Sequence, residues 1–375
     1  MRIIQSVHRA RSARPIVRAI GVALAIAGAG GCGSSSTGPS TAPGFLGGTA
    51  TNHQIGLVVN ATGKSVTLFQ LGSPTTQKQI ALGTSSAVTP VGLSIQARRA
   101  AVPLGNAASV ALLDLVNQSV IRFYLFASGN TTGSVFSDDT TLFVANTTTG
   151  VVGRVTVGQP SDSVNDTVEV APQPTALTFA GGRVLVTSTN LDENFNPIGN
   201  GIVTAIDPKT MAVLGTATTG GTNSNDAAIG PDGLLYVVNT GDFVEDGSLT
   251  IVNPATMQVV TTVSGMGVGP GAISIDSAGL AYISGFFSGT LVWDTKTRTF
   301  VRGTDNPVCA RLGDGSCRGA FAATTDAAGK LYQVFFGSAS PSLAPYVFVF
   351  DPTTFALRDS VSVGVGPSSI SIRKF

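Results

Sequence analysis

One unit recurs along this chain: an apolar strand, a glycine turn, a second strand, and a third strand ending in Asp or Asn before a turn that is usually Pro-x-Thr. The strand-end residues are Asp114, Asp207, Asn253, Asp294 and Asp351. Their spacing indicates a repeat of about 47 residues, so residues 51–375 hold about seven copies. A repeat of this kind restricts the fold to an assembly of similar units before any other argument is made.

The composition is typical of β-structure. Charged residues are only 11% of the chain, glycine numbers 46, and the apolar class is rich in Val, Ala, Leu and Ile. This is the composition of sheets joined by tight turns, and the sequence shows no long amphipathic helical pattern. The repeat continues from about residue 55 to the end without a charged or proline-rich linker, which predicts one repeat domain.

The fifth copy shows the strands of one unit, predicted at residues 227–229, 234–239, 249–253 and 258–263. Four strands in about 45 residues are typical of a β-propeller blade. The strand-end acids fit tight turns, because the carboxylate accepts hydrogen bonds from the turn backbone and a following proline presets φ. We interpret these acids as turn formers rather than as catalytic groups.

The two ends of the repeat region complete each other. Residues 370–375 have the pattern of an innermost strand with no partner after it, and residues 56–60, 65–70 and 76–82 have the pattern of the remaining strands of a first blade. Pairing them would close the ring and cover both open sheet edges. The sequence therefore predicts an all-β, seven-bladed β-propeller of four-stranded antiparallel blades, closed by the C-terminal strand.

The N-terminal segment predicts export. Its basic residues are Arg2, Arg9, Arg11, Arg14 and Arg18, and the uncharged run 19–31 separates them from Cys32. This pattern is typical of a signal peptide over residues 1–31 rather than of a membrane span. Residues Ala29-Gly30-Gly31-Cys32 resemble the lipobox of bacterial lipoproteins, which implies that Cys32 is lipidated. An ordinary secreted protein is the alternative.

Residues 32–50 are rich in Gly, Ser, Thr and Pro and are predicted to form a flexible tether ahead of the propeller at 51–375. Gly33 in place of Asp after the cysteine favours the outer membrane, by resemblance to enterobacterial sorting. The expected location is the bacterial cell envelope, anchored to the outer membrane and facing the periplasm or the exterior. The only contact with the membrane would be the lipid.

Without the signal peptide the chain carries 17 basic and 21 acidic residues. No basic stripe with interleaved aromatic residues occurs, so nucleic-acid binding has little support. Lipidation of Cys32 leaves Cys309 and Cys317, a plausible pair across a short loop in an oxidising compartment. A metal site would need more ligands, and no histidine lies nearby, so we predict a disulfide.

Several segments resemble the YVTN-type β-propeller repeats of bacterial and archaeal surface proteins. They are Leu235-Tyr236-Val237-Val238-Asn239, Ala205-Ile206-Asp207-Pro208-Lys209-Thr210 and Val363-Gly364-Val365-Gly366-Pro367. The resemblance implies the propeller fold and, for most members, an extracytoplasmic binding or scaffold role. Some relatives are propeller lactonases, so the resemblance implies the fold more strongly than an activity.

The loops between strands two and three and the connections between blades share one face of a propeller, which we call the loop face. Insertions are predicted there at 188–201, 240–247, 303–319 and 337–345. One further insertion, 158–164, is a turn between strands three and four of blade three and belongs to the opposite face. The loop face is therefore the predicted binding face.

Acidic and aromatic side chains are concentrated in the loop-face insertions and the nearby strand ends. The candidate binding residues are Asp192, Glu193, Phe195, Asp242, Phe243, Glu245, Asp246, Phe286, Phe287, Arg311, Arg318, Phe335 and Phe336. Exposed phenylalanines stack on sugar rings or on the apolar anchor of a protein, and packing between blades is the alternative. Arg311 and Arg318 either present positive charge here or pair with Asp305 or Asp314.

The acidic loops also suggest a hard cation. Asp192, Asn194, Asp242 and Asp246 are the candidate ligands of Ca²⁺, and no other cofactor is predicted. The segment from Asp192 begins like a calcium loop, but Pro197 stands where a glycine is needed. A solvated pair of acidic loops is the alternative interpretation.

The only histidine after the signal peptide is His53, which argues against histidine-dependent triads and multi-histidine metal sites. No catalytic residue is assigned, and the oligomeric state is not predicted. We expect a non-enzymatic binding or scaffold module for an envelope protein or glycan. The alternative is a metal-assisted hydrolase or lactonase that uses channel residues such as Asn223, Asn225 and Asp226.

Overall fold

The computed structural model describes residues 54–337 and 344–374. The regular structure of this part of the chain is β-strand, arranged as seven four-stranded antiparallel sheets. The described residues contain no helix that is long and apolar enough to cross a membrane. The predicted signal peptide, the tether, Cys32 and His53 lie outside the described residues.

The first four blades follow one another along the chain. Blade 1 contains β1 (Gln54–Asn60), β2 (Ser65–Gln70) and β3 (Ser73–Ala81). Blade 2 contains β4 (Ser94–Gln96), β5 (Arg99–Pro103), β6 (Ser109–Asp114) and β7 (Ser119–Leu125). Blade 3 contains β8 (Thr131–Phe136), β9 (Thr141–Asn146), β10 (Val151–Thr156) and β11 (Asp166–Glu169). Blade 4 contains β12 (Pro174–Ala180), β13 (Arg183–Ser188), β14 (Asn200–Ile206) and β15 (Val213–Thr222).

The last three blades complete the ring. Blade 5 contains β16 (Ser224–Ile229), β17 (Leu235–Asn239), β18 (Asp246–Asn253) and β19 (Gln258–Val268). Blade 6 contains β20 (Pro270–Ile275), β21 (Leu280–Gly285), β22 (Gly289–Asp294) and β23 (Thr299–Arg302). Blade 7 contains β24 (Ala322–Thr325), β25 (Leu331–Phe335), β26 (Tyr346–Phe350) and β27 (Leu357–Ser362). The chain ends in β28 (Pro367–Lys374), the innermost strand of blade 1.

The predicted closure is confirmed. Strand β28 pairs antiparallel with β1, with Leu57 opposite Ser371 and Val58 opposite Ile370. Each end of the chain therefore supplies strands that the other lacks, and the ring closes without leaving the ladder edge of β1 open. The predicted strands of blade 5 are also present. Strands β18 and β19 extend further than predicted, because Asp246 pairs with Val268 beyond a β-bulge.

The hydrophobic core consists of layers between neighbouring blades rather than one centre. Leu57 of blade 1 packs with Val102 and Leu113 of blade 2, and all three side chains are fully buried. Blades 5 and 6 meet in the same way around Tyr236 and Trp293. Each buried side chain of this size contributes about 1.5–3 kcal/mol, so these layers hold adjacent blades together.

The interpretation of the strand-end acids as turn formers is confirmed. Oδ1 of Asp207 accepts hydrogen bonds of 2.8 and 2.9 Å from the backbone N–H groups of Lys209 and Thr210. Asp351 does the same with Thr353 and Thr354, at 3.0 and 2.9 Å. These N–H donors lower the pKa of both carboxyls, because they stabilise the charged form.

A second turn motif recurs in blades 5, 6 and 7. An Asp between strands one and two accepts a hydrogen bond from the hydroxyl of a Tyr in strand two. The pairs are Asp232–Tyr236, Asp276–Tyr282 and Asp326–Tyr332, with oxygen–oxygen distances of 2.7, 3.1 and 3.2 Å. Burial raises the pKa of each tyrosine, and the neighbouring carboxylate raises it further. The tyrosine hydroxyl thus stays protonated and anchors the turn.

Asn239, the last residue of the repeat segment 235–239, has a structural role. Its fully buried amide donates to Ser248 Oγ at 2.9 Å and to Thr250 Oγ1 at 2.8 Å, on the neighbouring strand β18. Its Oδ1 accepts from Ser224 Oγ at 2.6 Å, on β16. One asparagine therefore ties three strands of blade 5 together.

The insertion between β10 and β11 covers a sheet edge. The N–H of Leu125 on β7 donates to the carbonyl of Asp162 at 2.8 Å, and the N–H of Val164 donates back to Leu125 at 2.8 Å. Arg122 forms an ion pair with Asp162 at 3.2 Å. The outer edge of blade 2 is partly paired as a result, which limits edge-to-edge association.

Candidate functional site

A cavity of about 1040 Å³ opens on the loop face and is lined by blades 3, 4, 5 and 6. We call it the mouth cavity. The start of the innermost strands contributes Thr132, Thr175 and Asn225 to its wall. The loops between strands two and three contribute side chains from blades 3 to 6. Its position at the inner ends of four blades gives it a rigid β-sheet base and loop-borne walls.

Five of the predicted binding residues lie together in this cavity. They are Asp192, Glu193 and Phe195 of blade 4, Phe243 of blade 5 and Phe286 of blade 6. Asp242, Glu245 and Asp246 share the loop or strand start of Phe243, and Phe287 follows Phe286 with 64% of its surface exposed. The other predicted residues lie further along the loop face, in blades 6 and 7.

The loop of blade 4 is shaped by Asp192. Its Oδ1 accepts hydrogen bonds of 2.8 Å from the backbone N–H groups of both Asn194 and Asn196. The donors from Asn196 hold the pKa of Asp192 below its usual value, so the carboxylate is charged at neutral pH. This turn places Phe195 with a φ of +64° and 73% of its surface exposed.

The loop of blade 5 repeats this arrangement. Asp242 Oδ1 accepts hydrogen bonds of 2.9 Å from the N–H groups of Val244 and Glu245. These donors, Glu245 first, lower the pKa of Asp242. Phe243 has the same φ of +64° and is 47% exposed. Two neighbouring blades therefore each present a phenylalanine in the left-handed region, where bulky residues are rare.

Aromatic rings continue from the mouth cavity across blades 5, 6 and 7. Ring centroids are 6.3 Å apart for Phe243 and Phe286, 4.9 Å for Phe286 and Phe321, and 4.8 Å for Phe321 and Phe336. We call these four residues the aromatic row. The sequence prediction missed Phe321, which precedes β24 and follows an insertion. A phenylalanine next to the predicted loop-face insertion 303–319 was the available signal.

The connection from blade 6 to blade 7 contains the predicted disulfide between Cys309 and Cys317, with Cα atoms 5.5 Å apart. Arg311 donates to the carbonyl of Gly315 at 2.8 Å. None of the ion pairs in the described residues joins Arg311 to Asp305 or Asp314.

Arg318 lies against aromatic rings between blade 7 strands and the connection. Its guanidinium carbon is 4.6 Å from the ring centroid of Phe335 and 5.7 Å from that of Phe348. Phe335 itself is largely covered and lies 6.5 Å from Phe348, centroid to centroid. Arg318 and Phe335 thus pack within the blade region, as the alternative interpretation of strand-end aromatics expects.

Of the polar residues proposed for hydrolysis, Asn225 and Asp226 join blade 5 to blade 6, and Asn223 donates to the carbonyl of Gly241 in its own blade at 3.2 Å. Asn225 Nδ2 donates to the carbonyl of Gly271 in blade 6 at 2.8 Å. Asp226 Oδ2 accepts from the N–H of Ile273 at 3.0 Å, and its Oδ1 accepts from the N–H of Ala227 at 2.9 Å. Burial raises the pKa of Asp226 to about 6, against the opposing effect of these two donors.

The described residues offer no preformed cluster of metal ligands. They contain no group of three or more His, Cys, Asp or Glu side chains placed to hold a metal ion. The carboxylates of Asp192 and Asp242 accept hydrogen bonds from their own loops. These contacts do not test the two interpretations of the acidic loops, a calcium site at Asp192, Asn194, Asp242 and Asp246 or a solvated pair of loops.

No protein-family model matches the sequence, and no curated protein matches it. Solved structures share the fold. Hydrazine synthase of Kuenenia stuttgartiensis is 12% identical, with a TM-score of 0.62 over 78% of this chain and 97% of that chain. A functionally unknown protein of Desulfotomaculum acetoxidans is 15% identical, with a TM-score of 0.61 over 85% of this chain and 98% of that chain.

At these identities the likeness shows the fold alone. The chain is a seven-bladed β-propeller, as the sheet order and the solved structures agree. A propeller with an elaborated loop face fits a binding or scaffold module. The resemblances to YVTN-type repeats and to lipoproteins stay predictions.

Proposed function

We propose that this protein is an extracytoplasmic, lipid-anchored β-propeller that binds a protein or glycan partner of the cell envelope through the mouth cavity and the adjoining aromatic row. The observation that carries the proposal is the presentation of Phe195 and Phe243. Both rings are exposed at the rim, and both residues have a left-handed backbone. The exposure of two large aromatic rings that line one cavity favours contact with a ligand, because covering them there removes apolar surface from water.

The exposed rings set how much hydrophobic binding free energy a partner can gain. Covering a phenylalanine side chain completely contributes about 1.5–3 kcal/mol. Phe195 is 73% exposed and Phe243 is 47% exposed, so each retains a large part of that contribution for binding. Thr175 and Asn225 of the same cavity already donate to the backbone carbonyls of Asn225 and Gly271, so orienting contacts to a ligand would use their acceptor oxygens.

The hydrolase alternative has weaker support. It requires several carboxylates or amides that converge on one point in the channel. Asn225 and Asp226 instead make hydrogen bonds to the backbone of blade 6, at Gly271 and Ile273. We therefore propose a binding role rather than catalysis.

A screen of glycan and peptide arrays with the purified propeller tests this proposal. We expect selective binding by the native protein that is lost in the double variant F195A/F243A. The matched control is F123A, because Phe123 is also exposed, at 38%, but lies on the outer strand β7 of blade 2. Equal binding by all three proteins, or no binding at all, would contradict the proposal.

The anchor is tested separately in cells. We expect the native chain in the membrane fraction and labelled by a fatty acid, and C32A in neither state. Labelling of C32A at the native level would contradict lipidation at Cys32. Loss of the lipid in C32A is expected to leave ligand binding by the propeller intact, because the two functions lie in separate parts of the sequence.

A further inference from the structure

The charged residues of the mouth cavity are all acidic. Glu169, Asp192 and Glu193 line it, and no Lys or Arg of the described chain does so. Asp242 and Glu245 follow on the neighbouring loop, beside Phe243. Charges of one sign around a concave site create a potential that attracts the opposite sign and repels its own.

These carboxylates are not neutralised by basic neighbours. The ion pairs within the described residues are Arg122–Asp162, Arg154–Asp166 and Arg358–Asp351. None of them involves a carboxylate of the mouth cavity or of the loop of blade 5. The negative charge is therefore available to a ligand, and the hydrogen bonds from loop N–H groups keep Asp192 and Asp242 ionised.

The exposed aromatic rings, like the carboxylates, attract positively charged groups. The face of a phenylalanine ring carries partial negative charge and attracts ammonium and guanidinium groups. Phe195, Phe243 and Phe286 line the same cavity as the three carboxylates, and Phe243 directly follows Asp242 in the loop of blade 5. A neutral sugar would gain stacking from these rings and hydrogen bonds from its hydroxyls to the carboxylates, but no charge attraction, and an anionic ligand would be repelled.

The size of the cavity indicates an extended ligand. About 1040 Å³ lies at the upper end of the range for small-molecule pockets, and the lining extends over four blades. Several side chains of a peptide fit such an opening, whereas one amine would contact a small part of it.

We propose that the mouth cavity binds an extended, Lys- or Arg-rich peptide segment of a protein partner. This inference rests on the proposed binding function and selects a basic protein segment over a glycan. The basic side chains contact the carboxylates of Glu169, Asp192 and Glu193, and the aliphatic parts of the segment pack on the exposed phenylalanines.

The test uses fluorescence anisotropy with labelled peptides of one sequence, in which the charged positions are Lys, Gln or Glu. The native propeller is expected to bind the Lys peptide about tenfold more tightly than the Gln peptide and to show no binding of the Glu peptide. Affinity for the Lys peptide is expected to fall with rising salt, because the charges are solvent-exposed and screened.

The charge variant is E169Q/D192N/E193Q, in which the amide introduced by D192N keeps an oxygen that accepts the loop N–H groups. We expect its affinity for the Lys peptide to fall about tenfold. The control variant is D359N, since Asp359 is an exposed carboxylate on the outer strand β27 of blade 7. Its affinity is expected to match that of the native protein. If the triple variant fails to fold, the peptide series and its salt dependence on the native protein decide the question.

Each outcome has one meaning. Equal or tighter binding of the Gln or Glu peptide, or an unchanged affinity in the charge variant, overturns the inference. A neutral glycan that binds in a Phe195-dependent manner while the Lys peptide does not overturns the inference and leaves the proposed function standing. Absence of Phe195-dependent binding of every peptide and glycan probe overturns both.

Discussion

Removing a rim phenylalanine is expected to weaken ligand binding without destabilising the propeller. Phe195 has a φ of +64°, a conformation that costs an L-residue with a side chain about 1–2 kcal/mol. Glycine escapes this cost but loses about 0.5–1 kcal/mol more chain entropy on folding. Because the ring is 73% exposed, little packing is lost with it. F195G is therefore expected to be more stable than the native protein by roughly 0.5–1 kcal/mol, the difference between these two costs.

The matched control is F195A, which removes the same ring and keeps the left-handed cost. We expect F195G to exceed F195A by roughly 1 kcal/mol, which corresponds to about 1.5 °C in Tm for a domain of this size. Urea unfolding of the three proteins at equal m-value measures the difference. If F195G is destabilised by more than about 1 kcal/mol, the ring contributes to packing and is not reserved for a ligand. Equal stability of F195G and F195A would refute the argument from backbone strain.

Four other predictions follow from particular contacts. Burial favours the neutral form of Asp226 and raises its pKa to about 6. The contribution of this carboxyl to the free energy of unfolding is therefore fully present below about pH 4 and declines by up to about 3 kcal/mol as the pH rises past 6. Unfolding curves at several pH values measure this decline, and an equal pH dependence in D226N would contradict it. Y282F is expected to lose about 1–2 kcal/mol, because Asp276 loses a hydrogen-bond donor, and an unchanged urea midpoint would contradict this. Deletion of residues 367–375 removes β28 and is expected to abolish cooperative unfolding, whereas a monomer with the native Tm would refute the closure. Millimolar Ca²⁺ after EDTA treatment is expected to leave the Tm unchanged, and a shift of several degrees that D192N removes would establish a metal site instead.

The fold was predictable because it depends on local patterns that repeat. Strand alternation, glycine turns and strand-end acids such as Asp207 specify one blade, and seven copies specify the ring. The closure was predictable from strand counting alone, since residues 367–374 lack later partners. Nothing in this reasoning requires knowledge of contacts between distant residues.

The site was predictable only in part. Loop lengths indicate which face carries Asp192, Phe195 and Phe243, because the face follows from the position of a loop in the blade. Loop lengths do not show which rings meet across blades, so Phe321 was missed although it lies between Phe286 and Phe336. The contribution of blade 3 was missed for a similar reason. Its loop at 147–150 is short, and its polar residues face the cavity only because the blades form a ring.

The central claim is that ligands bind in the mouth cavity, and amide hydrogen exchange of the propeller with and without an array-selected ligand tests it most directly. Bound ligand is expected to slow exchange in residues 190–198 and 240–245, which form the two loops of the rim, and to leave the outer strand β7 unchanged. Protection of β7 or of the opposite face, with the rim loops unchanged, would contradict the claim.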